Sequence, residues 1–511
     1  MMHGQEKSDF AVVAMKPANG TAKAEPELAE RRAGAKGNAN QRSTLRAQDR
    51  DGVTQGLDRI RQAARLRKEE KFTALLHHVS VSLLRWSFDA LKRDAAPGVD
   101  GMTWHDYEAD PEPRLADLHD RVHRGGPYHP QPSRRRYIPK PDGRQRPLAI
   151  AALEDKIVQR AIQEVLSAIY EEDFLGFSYG FRPGRSQHDA LDALVVGISG
   201  TQVNWIVDAD IRAFFDSVNH DWLIRFLEHR IGDTRIIRLI RKWLKAGVLE
   251  DGTVTISDTG TGQGSVISPL LANVYLHYVI DLWAARWRRR QASGDMIIVR
   301  YADDLVVGFE HEADARRFLE EMRARLEAFA LSLHPDKTRV IEFGRHAAAG
   351  RAERGLGKPE TFNFLGFTFI CGTSRRGSFL IKRKTRRDRM AAKLQEVKET
   401  LWRQMHQPIP QIGSWLGQVV RGYFNYHAVP ANGAAIGAFR HHVMRLWLRA
   451  LNRRGNRDRT TWDRIEKLAN DYLPRPRILH PWPEQRFAVR HPRWEPYAGK
   501  PHVRFCAGGA Q

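Results

Sequence analysis

The chain has 511 residues, a length that at roughly 150 residues per domain predicts about three domains. Its 82 Lys and Arg against 60 Asp and Glu leave a formal charge of +22, and 42% of its residues are hydrophobic, with 22 Phe and 13 Trp. That much apolar surface excludes wholesale disorder, the charge points to phosphate polymers as partners, and two cysteines, Cys371 and Cys506, exclude a disulfide framework or a four-cysteine zinc site.

The N-terminal segment has no apolar stretch behind a charged start, and Asp9, Glu25, Glu27 and Glu30 oppose an organellar transit peptide. No run approaches the roughly 18 apolar residues of a membrane span. A soluble intracellular, cytoplasmic protein with no membrane partner is therefore expected. Residues 1–55 are poor in large apolar side chains and read as a flexible basic arm.

Helical spacing begins at Leu57, and Ala95-Ala96-Pro97-Gly98-Val99-Asp100-Gly101 interrupts it with turn chemistry. Tyr137-Ile138-Pro139-Lys140 and Arg146-Pro147-Leu148-Ala149-Ile150 flank Pro141-Asp142-Gly143 and predict two extended arms around a turn. Helical pattern follows over about 152–170 and 186–197, the second begun by Ser186 as N-cap. Strand-like runs occur at Trp205-Ile206-Val207 and Met296-Ile297-Ile298-Val299, separated by long helical stretches. The class is α+β.

After the basic segment 382–389 the texture is wholly helical. Met390, Leu394, Val397 and Leu401 recur at helical spacing, as do Ile412, Trp415, Leu416, Val419 and Tyr423, and Ile436, Phe439, Val443, Leu446 and Ala450. Three amphipathic helices with short connections predict a small bundle. Beyond about 453 the sequence predicts one helix around Trp462, Ile465, Leu468 and Tyr472, and then a Pro-rich, extended, basic tail.

The chemistry concentrates where acids interrupt this basic background. Ile297 through Val307 reads as a hairpin with Asp303 and Asp304 at its bend, and the run Trp205-Ile206-Val207 ends in Asp208 and Asp210, on one strand face. Asp is an ordinary turn residue, and Asp216 has an ordinary reading as the cap of a helix beginning near Asn219. If a sheet sets the two strands side by side, however, Asp210 and Asp303 converge. Their repulsion is then relieved by a divalent cation, and oxygen ligands without His or Cys suit Mg2+. Two such ions about 4 Å apart support in-line nucleotidyl transfer.

Tyr301-Ala302-Asp303-Asp304 resembles the catalytic box of the reverse transcriptases encoded by group II introns. The resemblance runs in order from about Leu83 to the C-terminal tail. Ala96 through Gly101 is similar to the family's N-terminal extension, while Ile138-Pro139-Lys140, Arg146-Pro147-Leu148 and Phe181-Arg182-Pro183-Gly184-Arg185-Ser186 resemble its fingers. Asp210 through Asp216, Gly260 through Asn273 and Phe364-Leu365-Gly366 resemble its palm; Trp415 with Arg421-Gly422-Tyr423-Phe424-Asn425-Tyr426 resembles the maturase signature.

The resemblance implies a right-hand polymerase. Residues 56–381 would form fingers and palm with an antiparallel palm sheet and the N-terminal extension. Residues 382–452 would form an all-helical thumb or maturase bundle, and 453–511 an irregular basic tail binding DNA or RNA. It implies Asp210, Asp303 and Asp304 as catalytic acids, which with the Ile211 carbonyl would hold two Mg2+ ions. Lys140 and Arg146 are expected over the triphosphate, with solvated loop charges as their alternative; Phe215 matches the sugar gate, with a core aromatic as its alternative; Gln263 is expected close to the nucleotide.

Where many of the family carry Pro, this chain has Gly262. Arg182, Arg185, Lys337, Arg475, Arg477, Arg486 and Arg490 are the candidate nucleic-acid contacts, the tail arginines because they interleave with aromatics. Expected partners are group II intron RNA, a DNA target and primer, and deoxynucleoside triphosphates, in a nucleoid-associated setting. Nothing in the sequence resembles the family's His-Asn-His nuclease, so an existing 3′ end is expected to prime synthesis. Two other functions stay open: a non-polymerising RNA-splicing cofactor, and a free-standing reverse transcriptase recruited to defence.

Overall fold

The computed structural model describes residues 39–124, 128–139, 145–250, 252–262, 264–454 and 459–490, apart from the side chains of 39–51, 139 and 487–490. Within them the strands are, in chain order, β1 Ser133–Pro139, β2 Gln145–Ile150, β3 Trp205–Asp210, β4 Val248–Glu250, β5 Thr253–Thr255, β6 Met296–Tyr301, β7 Asp304–Phe309, β8 Arg339–Glu342, β9 Phe362–Phe364, β10 Phe367–Thr373 and β11 Phe379–Thr385. They make three sheets, with helices between and around them.

The central sheet has the order β6-β7-β3-β8, and all its pairings are antiparallel. Met296, Ile297, Ile298 and Val299 on β6 and Leu305, Val306 and Val307 on β7 are buried without alternation. Such continuous apolar strands belong in a sheet covered on both faces. Helices Gln187–Gly200 and Glu312–Glu327 pack on it. The first of these starts where the sequence predicts: Ser186 and Asp189 form a reciprocal capping box.

A second sheet, β2-β1-β4-β5, contains the expected two-armed hairpin, with Ile138 opposite Arg146. The third, β11-β10-β9, turns at Leu365 and Gly366, both with positive φ (44° and 79°). Two left-handed residues in succession make the tight turn that a twisted hairpin favours, and glycine adopts that conformation without strain.

Helices Arg387–Arg403, Ile409–His427 and Gly433–Asn452 form the predicted bundle, joined by Trp462–Tyr472. They enclose a core of their own, including Val397, Leu401, Ile412, Leu416, Phe439, Val443 and Trp447. Gly413 lets the fourth helix approach: a Cβ there would stand 2.6 Å from the Tyr472 ring.

Three expectations need correction. Helix Ala39–Leu66 starts well before Leu57, inside the segment read as a flexible arm, and Val53, upstream of Leu57, already packs against the core; residues 1–38 lie outside the described residues. The tail is not extended throughout: Pro483–Arg490 is helical, with Pro at the first position, where its missing N–H costs nothing. Asp216 caps no helix near Asn219; the Asn219 side chain itself accepts from Trp222 N, and Asp216 lies in the single turn Phe214–Ser217.

Candidate active site

The central sheet brings the acids together. In the β3–β7 register Asp210 lies directly opposite Asp304, so the two side chains share a face, and Asp208 follows on the same face. Tyr301 pairs with Asp304, which leaves Ala302 and Asp303 as the two residues of the bend, Ala302 in the left-handed region at φ 56°. Asp210 and Asp303, distant in sequence, therefore act on each other.

Their electrostatics show the crowding. Burial pushes the Asp304 carboxyl up to about 7, and the charges of Asp303, Asp210 and Asp208 add to it. Burial also raises Asp303, with Asp210 adding and Arg146 and Arg300 opposing. Asp208 is pushed up to about 6 by burial, against the pull of Arg339. Carboxyls driven towards neutrality by burial and by each other are stabilised by added positive charge.

Among the described residues no three acidic, His or Cys side chains already stand in a metal-holding arrangement. Lys337 Nζ donates to Asp210 Oδ2 at 2.7 Å and supplies positive charge there. Ile211 forms an isolated antiparallel bridge with Leu333, whose bonds use Arg212 N and Asp210 O; the Ile211 carbonyl therefore faces the opposite edge, the side of β7.

Further elements converge on this face. Thr261 N donates to Phe215 O at 2.7 Å, and Gly260 packs against the Phe215 and Asp216 carbonyls, so the glycine-rich loop is sewn to the turn that carries the partly buried Phe215. Gly264, at φ 108°, leaves room for the Ala149 carbonyl of β2, where a Cβ would stand 3.0 Å away. The hairpin with Arg146 thus rests on the loop, and Arg146 acts on Asp303. Lys140 and Gln263 lie outside the described residues.

Sequence reading missed Gln159, whose buried Oε1 accepts from Ser265 Oγ (2.8 Å) and Val266 N (3.1 Å) and tethers the far end of the loop. An amide among the apolar positions of Leu153–Asp173 was its signal. It also missed Arg300, alone in an apolar strand. The β9–β10 turn is tied to the bundle, with Tyr426 OH donating to Leu365 O at 2.7 Å.

Several candidate nucleic-acid contacts turn inward. Arg182 is buried on Glu171, with Nη1 donating to the carbonyls of Leu175 and Ser178. Arg185 Nη1 donates to the Gly176 and Ser178 carbonyls, and burial pushes its guanidinium down to about 10. Arg486 pairs with Asp192, which also binds Arg383, and so docks the helix Pro483–Arg490 on Gln187–Gly200. Lys337 engages Asp210. Arg475 and Arg477 are exposed, and the side chain of Arg490 lies outside the described residues.

Residues 138–369 match the family model described as reverse transcriptase (RNA-dependent DNA polymerase). The chain is 37% identical over 276 residues to Protein YkfC of Escherichia coli, covering 48% of this chain and 72% of that protein. It is 35% identical over 236 residues to the group II intron-encoded protein LtrA of Lactococcus lactis, covering 43% of this chain and 39% of LtrA. A 91 kDa protein in the cob intron of Schizosaccharomyces pombe is 28% identical over 382 residues, 61% of this chain and 45% of that protein. The chain thus spans less than half the length of these last two relatives. With the acid turn, the glycine-rich loop and these matches in one framework, the chain belongs to the family of group II intron reverse transcriptases and maturases.

Proposed function

We propose that the chain is an RNA-directed DNA polymerase that copies intron RNA into DNA and assists the splicing of a group II intron. The pairing of Asp210 with Asp304 across β3 and β7, with Asp303 at the adjoining bend, carries this reading. Asp210, Asp303, Asp304 and the Ile211 carbonyl would hold two Mg2+ ions, which when bound supply activation of a primer 3′-hydroxyl and charge neutralisation at the leaving pyrophosphate. The crowded, mutually repelling carboxyls fit that role.

The chain's other residues position and select. Arg146 and Lys140, which flank Pro141-Asp142-Gly143 in the sequence, bind the triphosphate, and the ring of Phe215 excludes a ribose 2′-hydroxyl. Gln263, between Gly262 and Gly264 in the sequence, approaches the nucleotide. Residues 56–381 act as fingers and palm, and the bundle over 382–452 as thumb and maturase domain. Exposed Arg475 and Arg477 place intron RNA or target DNA along the tail. No helix among the described residues is long and apolar enough to cross a membrane, and a nucleoid-associated place in the cytoplasm follows from the proposed DNA partner.

The test is primer extension on an RNA template with Mg2+, comparing the full chain with Asp303→Asn. Extension by the parent and background synthesis by the variant are expected. No extension by the parent, with intron RNA spliced faster on its addition, overturns the polymerase in favour of a splicing cofactor.

A further inference from the structure

Three residues before Asp303, the apolar strand β6 carries an arginine with no contact to solvent: Arg300 is 0% exposed. Every one of its N–H groups has an acceptor. Nε donates to Asp281 Oδ1 (2.7 Å), and Nη2 donates to Asp281 Oδ2 (2.6 Å) and Ser178 Oγ (2.7 Å). Nη1 donates to Asn273 Oδ1 (3.1 Å) and to the carbonyl of Ala302 (2.8 Å), inside the acid bend itself. The backbone of Arg300 is fixed as well, donating to Phe177 O and accepting from Tyr179 N, both at 2.9 Å.

The other side of the bend is equally confined. Asn273 Nδ2 donates to Gly180 O at 2.7 Å, and Gly180 lies so close to the bend that a Cβ there would stand 2.3 Å from Ala302 N. Ala302 holds a left-handed conformation that a residue with a Cβ resists, and such strain persists only where the surroundings over-determine it. Here one wall crowds the amide and a guanidinium grips the carbonyl. The peptide plane between Ala302 and Asp303 is thereby fixed, and with it the direction of the Asp303 carboxylate.

A buried ion pair is poor value as a stabiliser, since apolar residues of equal volume fill such a space as well or better. What apolar residues lack is a directed donor to one carbonyl. Asn273 lies on the helix Ser268–Leu276 that leaves the glycine-rich loop, and Asp281 ends the π-helical turn His277–Asp281 that continues it. The same helix therefore meets the loop at one end and Arg300 along its length.

We propose that Arg300, oriented by Asp281 and Asn273, is a positioning residue that sets the Ala302–Asp303 bend for turnover and couples it to the glycine-rich loop. The proposal rests on the polymerase reading, so its test has an arm that needs no activity. Asn273→Ala leaves the ion pair in place but removes both the acceptor for Nη1 and the donor to Gly180. In the full chain, hydrogen exchange across 299–306 should quicken while the helix Leu153–Asp173 stays protected and the melting temperature moves by no more than a few degrees. Primer extension should lose roughly 10- to 100-fold in kcat with the deoxynucleotide KM within about twofold. Asn273→Asp, which keeps the acceptor, should recover part of the loss. Unchanged exchange at the bend, or kcat and KM worsening together in step with melting, overturns the proposal. A parent chain that extends no primer sinks the polymerase reading, and exchange at the bend still decides the clamp.

Discussion

Two sets of arginines in this chain differ in how deeply the fold takes them in. Arg182, Arg185 and Arg300 point into the protein and end on its own carbonyls and carboxylates. Arg146, Arg475 and Arg477 lie exposed. The lesson is that a charge of +22 is not one reservoir for phosphate. Part of it shapes the backbone behind the acid bend, and only the remainder can screen a polyanion. Ser178 makes the point in miniature: its carbonyl accepts from Arg182 and Arg185 while its hydroxyl accepts from Arg300.

The sharpest way to break this division is Arg300→Met, which leaves Asp281, itself 0% exposed, without its counter-charge. Stability should fall by about 3–5 kcal/mol in urea unfolding, and the double variant with Asp281→Leu should regain much of it. A loss under 1 kcal/mol in the single variant would show that the pair is already solvated.

The next contrast is in binding. Arg475→Ala with Arg477→Ala should leave stability within about 0.5 kcal/mol and lower the slope of log affinity against log salt by up to about two, read by anisotropy with labelled RNA across a KCl series. Arg182→Ala should do the reverse, lowering the melting temperature and leaving the slope alone. An equal change of slope in both would erase the distinction between inward and outward arginines.

The smallest effect concerns a buried histidine. Burial holds His427 down at about 4, with Nδ1 3.3 Å from Thr385 Oγ1. The folded chain keeps it neutral, whereas the unfolded chain takes up a proton near pH 6.5. Its contribution to stability is therefore full above about pH 6.5 and is lost as the pH falls towards 4. His427→Gln should show a shallower fall of melting temperature between pH 6.5 and 4.5 than the parent, and parallel curves would remove His427 from the acid response.

How much of this was legible in the sequence follows from the range over which each interaction acts. The hairpin around Asp303 and Asp304, the strand ending in Asp210 and the stripes of the bundle helices are local patterns of two or 3.6 residues, and they can be read directly. The opposition of Asp210 and Asp304 needed the sheet order, which no local pattern carries. The partners of charged side chains could not be read this way. Arg300 meets Ser178 across 122 positions, and Lys337 meets Asp210 across 127. An arginine read from composition looks solvated until the fold puts a carboxylate beside it. The early start of Ala39–Leu66 escaped because its apolar positions upstream of Leu57 are sparse, Val53 being one, and have meaning only against the core it meets.

The π-helical turn His277–Asp281 has a consequence of its own. On a straight α-helix, residues eight apart such as Asn273 and Asp281 would diverge by about 80° around the axis. A wide turn absorbs one residue and returns them to within about 20° of one line, so both reach Arg300. The turn thus has the form of an insertion accommodated in place, without loss of phase between the helix ends. Excising one residue within it would straighten the helix and still leave Asn273 and Asp281 seven positions apart and near one line.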